Sequence, residues 1–138
     1  MLINPYLMFN GQCEAAFLFY AKCLRGNIDA MIRHRDTPIA DQTPADWQDK
    51  IIHARMTVGQ WVLMGSDAPA EHYQKPQGFS VTINVDETKE AQRLFKDLSL
   101  SGNVVMPLQE TFWAASFGML VDQFGIPWMI NGGEVKSG

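Results

Sequence analysis

Three groups of side chains in this sequence are spaced so that they could act together on a bound molecule. The stretch Ile51 to Val58 alternates, with His53, Arg55 and Thr57 on one side of a predicted strand and Ala54, Met56 and Val58 on the other. An imidazole there could serve as general base or hydrogen-bond donor, and a guanidinium could hold a carboxylate or phosphate. A polar strand face in solvent or at a subunit interface accounts for the same residues. Glu110 and Asp122 are the carboxylates nearest the bulky segment MPLQETFWAASFGMLVDQFGIPWMING, which spans 106–132. Glu110 is a candidate general base. Asp122 opens Asp122-Gln123-Phe124-Gly125 and fits a residue that organises its turn through its own side chain. Phe112 and Trp113 precede a strand and could clamp a planar or apolar ligand, or fill a core.

Other chemistries find no residues. There is no glycine-rich phosphate loop, no Cys/His cluster of zinc spacing and no Gly-x-Ser-x-Gly elbow. His34 and His72 read as surface residues. Cys13 and Cys23 fall ten residues apart in one predicted helix, about 15 Å, too far for a disulfide.

The elements that must position these residues come from an internal repeat. EAAFLFYAKCLRGN at 14–27 matches EAQRLFKDLSLSGN at 90–103 with an offset of 90 − 14 = 76 and no gap. Both read as amphipathic helices that stop at a Gly. The same offset aligns 4–9 with 80–85. In the second, Ser80, Thr82 and Asn84 alternate with Val81, Ile83 and Val85. The apolar side should pack on the helix, leaving Asn4, Tyr6 and Met8 on the other side in the first half. Three further strands follow in each half: 28–35, 51–58 and 61–65, then 104–107, 114–121 and 127–130. The pattern is βαβββ twice. The first module runs to about 67, a proline-containing linker covers about 68–78, the second module about 79–132, and a tail 133–138, all within one domain of 138 residues.

A formal charge of −4 gives no electrostatic reason to bind nucleic acid or an anionic membrane. No apolar run approaches the roughly 18 residues of a membrane span, and the N-terminus lacks a basic start and long apolar core. These features point to a cytoplasmic protein.

MPLQETFW followed by FGMLVDQFGIPWMING resembles the PhnB-like branch of the vicinal-oxygen-chelate superfamily, which includes glyoxalase I, bleomycin- and fosfomycin-resistance proteins and extradiol dioxygenases. PYLMFNGQCEAAFLFY and HARMTVGQWVLMGSDAP extend the resemblance over nearly the whole chain. It implies an α+β fold of two tandem βαβββ modules in a curved, half-open mixed sheet with helices on the convex side, and a homodimer. It also implies metal positions on the first and last strands of each module. These fall near 4–6, Ser80, Met64 and Met129, where no His or carboxylate stands. Thioethers are poor ligands for hard or borderline divalent ions, so no metal and no cofactor are expected. Relatives are labelled ubiquinone-pathway methyltransferases, but this chain lacks the glycine-rich strand-to-helix turn of a nucleotide cofactor site.

The reading is a protein that binds a small apolar or aromatic molecule in a metal-free cleft lined by Tyr6, Met8, Arg55, Met64, Ser80, Thr82, Phe112, Trp113 and Met129. The alternative is a lyase or isomerase using His53 or Glu110, with or without a divalent metal. A third possibility is a cleft plugged by its own Met and Trp side chains.

Overall fold

The computed structural model describes residues 1–135; 136–138, part of the expected tail, lie outside the described residues. The chain divides into two units, Met1–Gln74 and Lys75–Gly138. The first contains β1 (Tyr6–Phe9), α1 (Cys13–Leu24), β2 (Asn27–Arg33), β3 (Ile51–Val58) and β4 (Trp61–Asp67). The second contains β5 (Val81–Val85), α2 (Thr88–Leu98), β6 (Asn103–Gln109), β7 (Ala114–Val121) and β8 (Pro127–Val135). Each unit is a βαβββ module with its own four-stranded mixed sheet, ordered β1-β4-β3-β2 in one and β5-β8-β7-β6 in the other. First and last strands pair in parallel in both, and the remaining pairs are antiparallel. The repeat seen in the sequence is therefore a repeat of topology, and the fold is that of the vicinal-oxygen-chelate superfamily.

In each module the helix covers one face of its sheet. Leu7 and Phe9 point at α1, where Phe9, Phe17 and Tyr20 form a ring cluster with centroids 6.0 to 6.3 Å apart. Ala54 and Met56 of β3 and Leu63 of β4 complete that buried layer. Gly65 sits directly beneath Phe17, so a methyl there would lie 2.8 Å from the ring. In the second module Trp128, Ile130, Leu94 and Leu98 are buried between sheet and α2, and Gly132 leaves room for Ala91.

Two buried carboxylates hold chain ends in place. Asp67, at the end of β4, accepts hydrogen bonds from the backbone N–H of Cys13 (2.8 Å) and Ile51 (2.9 Å). It supplies from a distant strand the helix cap that Gln12 does not provide. Asp122 accepts from the N–H of Phe124 (2.8 Å) and Ile126 (3.0 Å) and from Trp128 Nε1 (2.8 Å). It organises its turn, as read from the sequence.

Several local expectations are corrected. β1 starts at Tyr6 and β5 at Val81, so Asn4 and Ser80 precede their strands. β8 runs on to Val135. The segment between β2 and β3 makes short 3-10 turns at His34–Asp36, Ala40–Gln42 and Ala45–Trp47. His34 is half-buried, with Nδ1 enclosed, rather than a surface residue. The shared helix-stop glycines also act differently. The left-handed residues are Arg25 (φ 55°) and Ser101 (φ 58°), each one position before the glycine. Gly26 and Gly102 are instead sites of close packing, where a methyl would come within 2.8 Å of Thr57 O and 2.5 Å of Val121 O.

Candidate functional site

With one face of each sheet covered by a helix, the residues that alternate away from it form a second, helix-free face. In the first module the pairing Tyr6↔Met64 and Arg55↔Met64 lines up three side chains across β1, β4 and β3. Met8 follows opposite Ser66, whose Oγ lies 3.7 Å from Met8 Sδ. His53 stands next to this group. The Tyr6 hydroxyl and His53 Nδ1 are 3.2 Å apart, and the two rings stack at 5.9 Å with 25° between planes. Tyr6, Met8, His53, Arg55 and Met64 thus share one face of one sheet, as the alternation predicts.

Arg55 has a partner that the sequence reading missed. Asp29 Oδ2 accepts from its Nη1 at 3.0 Å, and Asp29 Oδ1 lies 3.4 Å from Thr57 Oγ1. Asp29 sits where β2 slips register against β3, between Ile28 and Ala30. A bulge lets it point beside Arg55, and simple alternation gives no sign of that.

The helix-free face of the second module is of different chemistry. Thr82↔Met129, Met129↔Met119 and Met119↔Met106 form an unbroken row across β5, β8, β7 and β6. Asn131 Nδ2 donates to Asn84 Oδ1 at 3.0 Å one step along. Phe117 lies two residues before Met119 on the same face. Trp113 meets it edge-on with centroids 5.2 Å apart, and Phe112 meets Trp113 edge-on at 4.7 Å. Phe112 and Trp113 stand out from the β6–β7 connection, 77% and 38% exposed. A small loop closure holds them there: Thr111 N–H donates to Ala114 O at 3.0 Å, and Ala114 N–H to Thr111 Oγ1 at 3.1 Å. Glu110 is exposed in the same connection, in a different module from His53. Ser80 lies just before β5.

The donor set does not suit a divalent metal. Met64 and Met129 occupy matching places, each paired with the first strand of its module (Tyr6 and Thr82). Among the described residues no three His, Cys, Asp or Glu side chains gather where they could share an ion. Among the described residues no helix is long and apolar enough to cross a membrane.

Residues 2–131 match the family described as 3-demethylubiquinone-9 3-methyltransferase. The chain belongs to this family. Protein YjdN of Escherichia coli (strain K12) is 33% identical over 139 residues, 95% of each chain. Protein PA1353 from Pseudomonas aeruginosa, a crystal structure, is 48% identical over 97% of this chain and 98% of that one, with a TM-score of 0.89. The PhnB protein of Bacillus cereus shares the fold at a TM-score of 0.80, with 24% identity over 96% of this chain and 99% of its own. The family's description names a methyl transfer, but neither strand-to-helix junction here offers the glycine-rich turn that takes up a nucleotide cofactor. Between β1 and α1 stands one glycine, Gly11, whose carbonyl accepts from Lys50 Nζ at 3.0 Å. Between β5 and α2 stand Asp86 and Glu87. This is a PhnB-like member with aromatic and methionine side chains where a metal site would require imidazoles and carboxylates.

Proposed function

We propose that the helix-free face of the second module binds a small apolar or aromatic molecule. The observation that carries this is the continuous edge-to-face chain Phe112–Trp113–Phe117, running onto the methionines of β7 and β8. Exposed aromatics beside flexible thioethers are adaptable partners for apolar ligands, and a few polar groups, here Thr82 and the Asn84–Asn131 pair, would set orientation. Tyr6, Met8, Arg55 and Met64 stand on the corresponding helix-free face of the first module's own sheet. The reading needs no metal or cofactor. It includes a reducing, cytoplasmic setting, suited to the two buried cysteines, and a second copy of the chain as partner. The test is titration with a panel of apolar aromatic probes read by tryptophan fluorescence. Trp113→Ala should weaken binding at least tenfold, while Trp61→Ala, a 72% exposed residue of the first module, should leave it unchanged. Equal affinity in Trp113→Ala and the parent would sink the reading.

The Tyr6–His53 contact supports a second reading, an isomerase or lyase in which His53 moves a proton. With Nδ1 protonated and donating to the phenol oxygen, Nε2 is left free to accept a proton from carbon. Glu110 is the other candidate base. Deuterium uptake by an enolisable carbonyl compound, measured in parent, His53→Ala and Glu110→Gln, decides it. Uptake no faster than buffer in the parent, or undiminished in both variants, removes it.

A further inference from the structure

The methionine row of the second module has a chemistry that apolar contact does not use. We propose that Met106, Met119 and Met129 form a thioether site for a soft monovalent cation, Cu(I). Met106 pairs with Met119 on the neighbouring strand, and Met119 with Met129 on the next. Directly opposed residues project from the same face of a sheet, with Cβ atoms about 5 Å apart. Each methionine carries its sulfur on three rotatable bonds, so neighbouring thioethers can swing toward one ion held over Met119. All three are half-buried, so an ion can reach them and the stems remain supported.

The surroundings select the charge and softness of the ion. The segments 81–85, 103–109, 114–121 and 127–133 hold no Lys, Arg, His, Asp or Glu. A hard or borderline divalent cation finds neither carboxylate nor imidazole within these segments, while thioethers favour Cu(I). A single positive charge is also the least costly to place beside apolar side chains. The first module supplies an internal contrast. There Met64 pairs with Arg55, in the place where Met129 pairs with Met119. A guanidinium in that place repels a cation and offers it no lone pair.

The site lies on the face proposed to bind an apolar ligand but depends on sulfur, because leucine can replace methionine at similar volume and keep an apolar surface while removing the sulfur. The experiment is anaerobic titration of the whole protein into Cu(I) held by a coloured chelator, bicinchoninate. The parent should withdraw one equivalent per chain. Met119→Leu, which removes the central sulfur, should weaken uptake at least tenfold, and Met106→Leu should weaken it as well. Met64→Leu should match the parent. Absence of uptake by the parent, or uptake unchanged in both Met119→Leu and Met106→Leu, overturns the proposal. The second outcome would place the copper on other soft donors of the chain, its two cysteines or its other methionines. An unchanged urea-unfolding midpoint in Met119→Leu shows that a loss of copper is not a loss of the fold.

Discussion

Cys13 begins α1 with its thiol fully enclosed and its backbone N–H held by Asp67. Burial, then the charges of Asp67 and Glu14, push the thiol far above its ordinary value. The folded thiol therefore stays protonated where that of an unfolded chain ionises, near pH 8.5. Above that point the unfolded state has shed a proton that the folded state keeps, so stability falls as pH rises, by up to ~1.4 kcal/mol per pH unit. Urea unfolding at pH 8 and pH 10 should show this loss in the parent, and the loss should be smaller in Cys13→Ala. An identical pH dependence in both would contradict it. Residue-scale reading of the sequence succeeded where alternation carries the information: Tyr6, Met8, His53, Arg55 and Met64 do share a face. It failed where a bulge shifts the phase, as at Asp29, so the ion pair of Arg55 could not be anticipated.

Helix ends make the same point for elements. Gly26 and Gly102 read as stop signals; α1 ends at Leu24 and α2 at Leu98, and the left-handed residues that follow are Arg25 and Ser101 rather than the glycines. The expected outcome of substitution is thus inverted from the usual one. Arg25→Gly should be neutral or stabilising by up to about 1 kcal/mol, since a left-handed side-chain-bearing residue is relieved. Gly26→Ala should cost about 1–3 kcal/mol by overpacking against Thr57 O and Val58 Cγ2. Chemical denaturation midpoints of the two variants check this; a stable Gly26→Ala together with a weakened Arg25→Gly would reverse the assignment. A sequence shows that a glycine is required, but only neighbours from other strands show whether the need is for backbone freedom or for space.

For the molecule, the 76-residue offset carried the architecture, because both halves repeat one order of elements and one pairing scheme. The bounds of 51–58 and 114–121 were read correctly, others drifted by up to five residues, and the partners of loop residues such as His34 and Trp47 lay beyond any periodicity. Edges of the two sheets lead to a test of self-association. β6 is the edge strand of its sheet and exposes consecutive valines, Val104 at 49% and Val105 at 59%. Exposed apolar edges invite pairing, which fits the proposed second copy. Sedimentation should give twice 15.5 kDa, about 31 kDa, and Val105→Lys should shift the protein toward the single chain. A parent that sediments as a single chain at all concentrations removes the dimer.

The parallel pairing of first and last strands also dictates an order of events during synthesis. Tyr6 meets Met64 across 64 − 6 = 58 positions, and Thr82 meets Met129 across 129 − 82 = 47. The strand that leaves the ribosome first in each half must wait for the last before it has a neighbour. Until then the backbone of that first strand has no ladder partner. Long closures of this kind are slow, and chains tend to complete the N-terminal half first. The duplicated layout shortens that wait: each half is sealed by its own fourth strand, so no early strand has to stay open until the whole chain has been made.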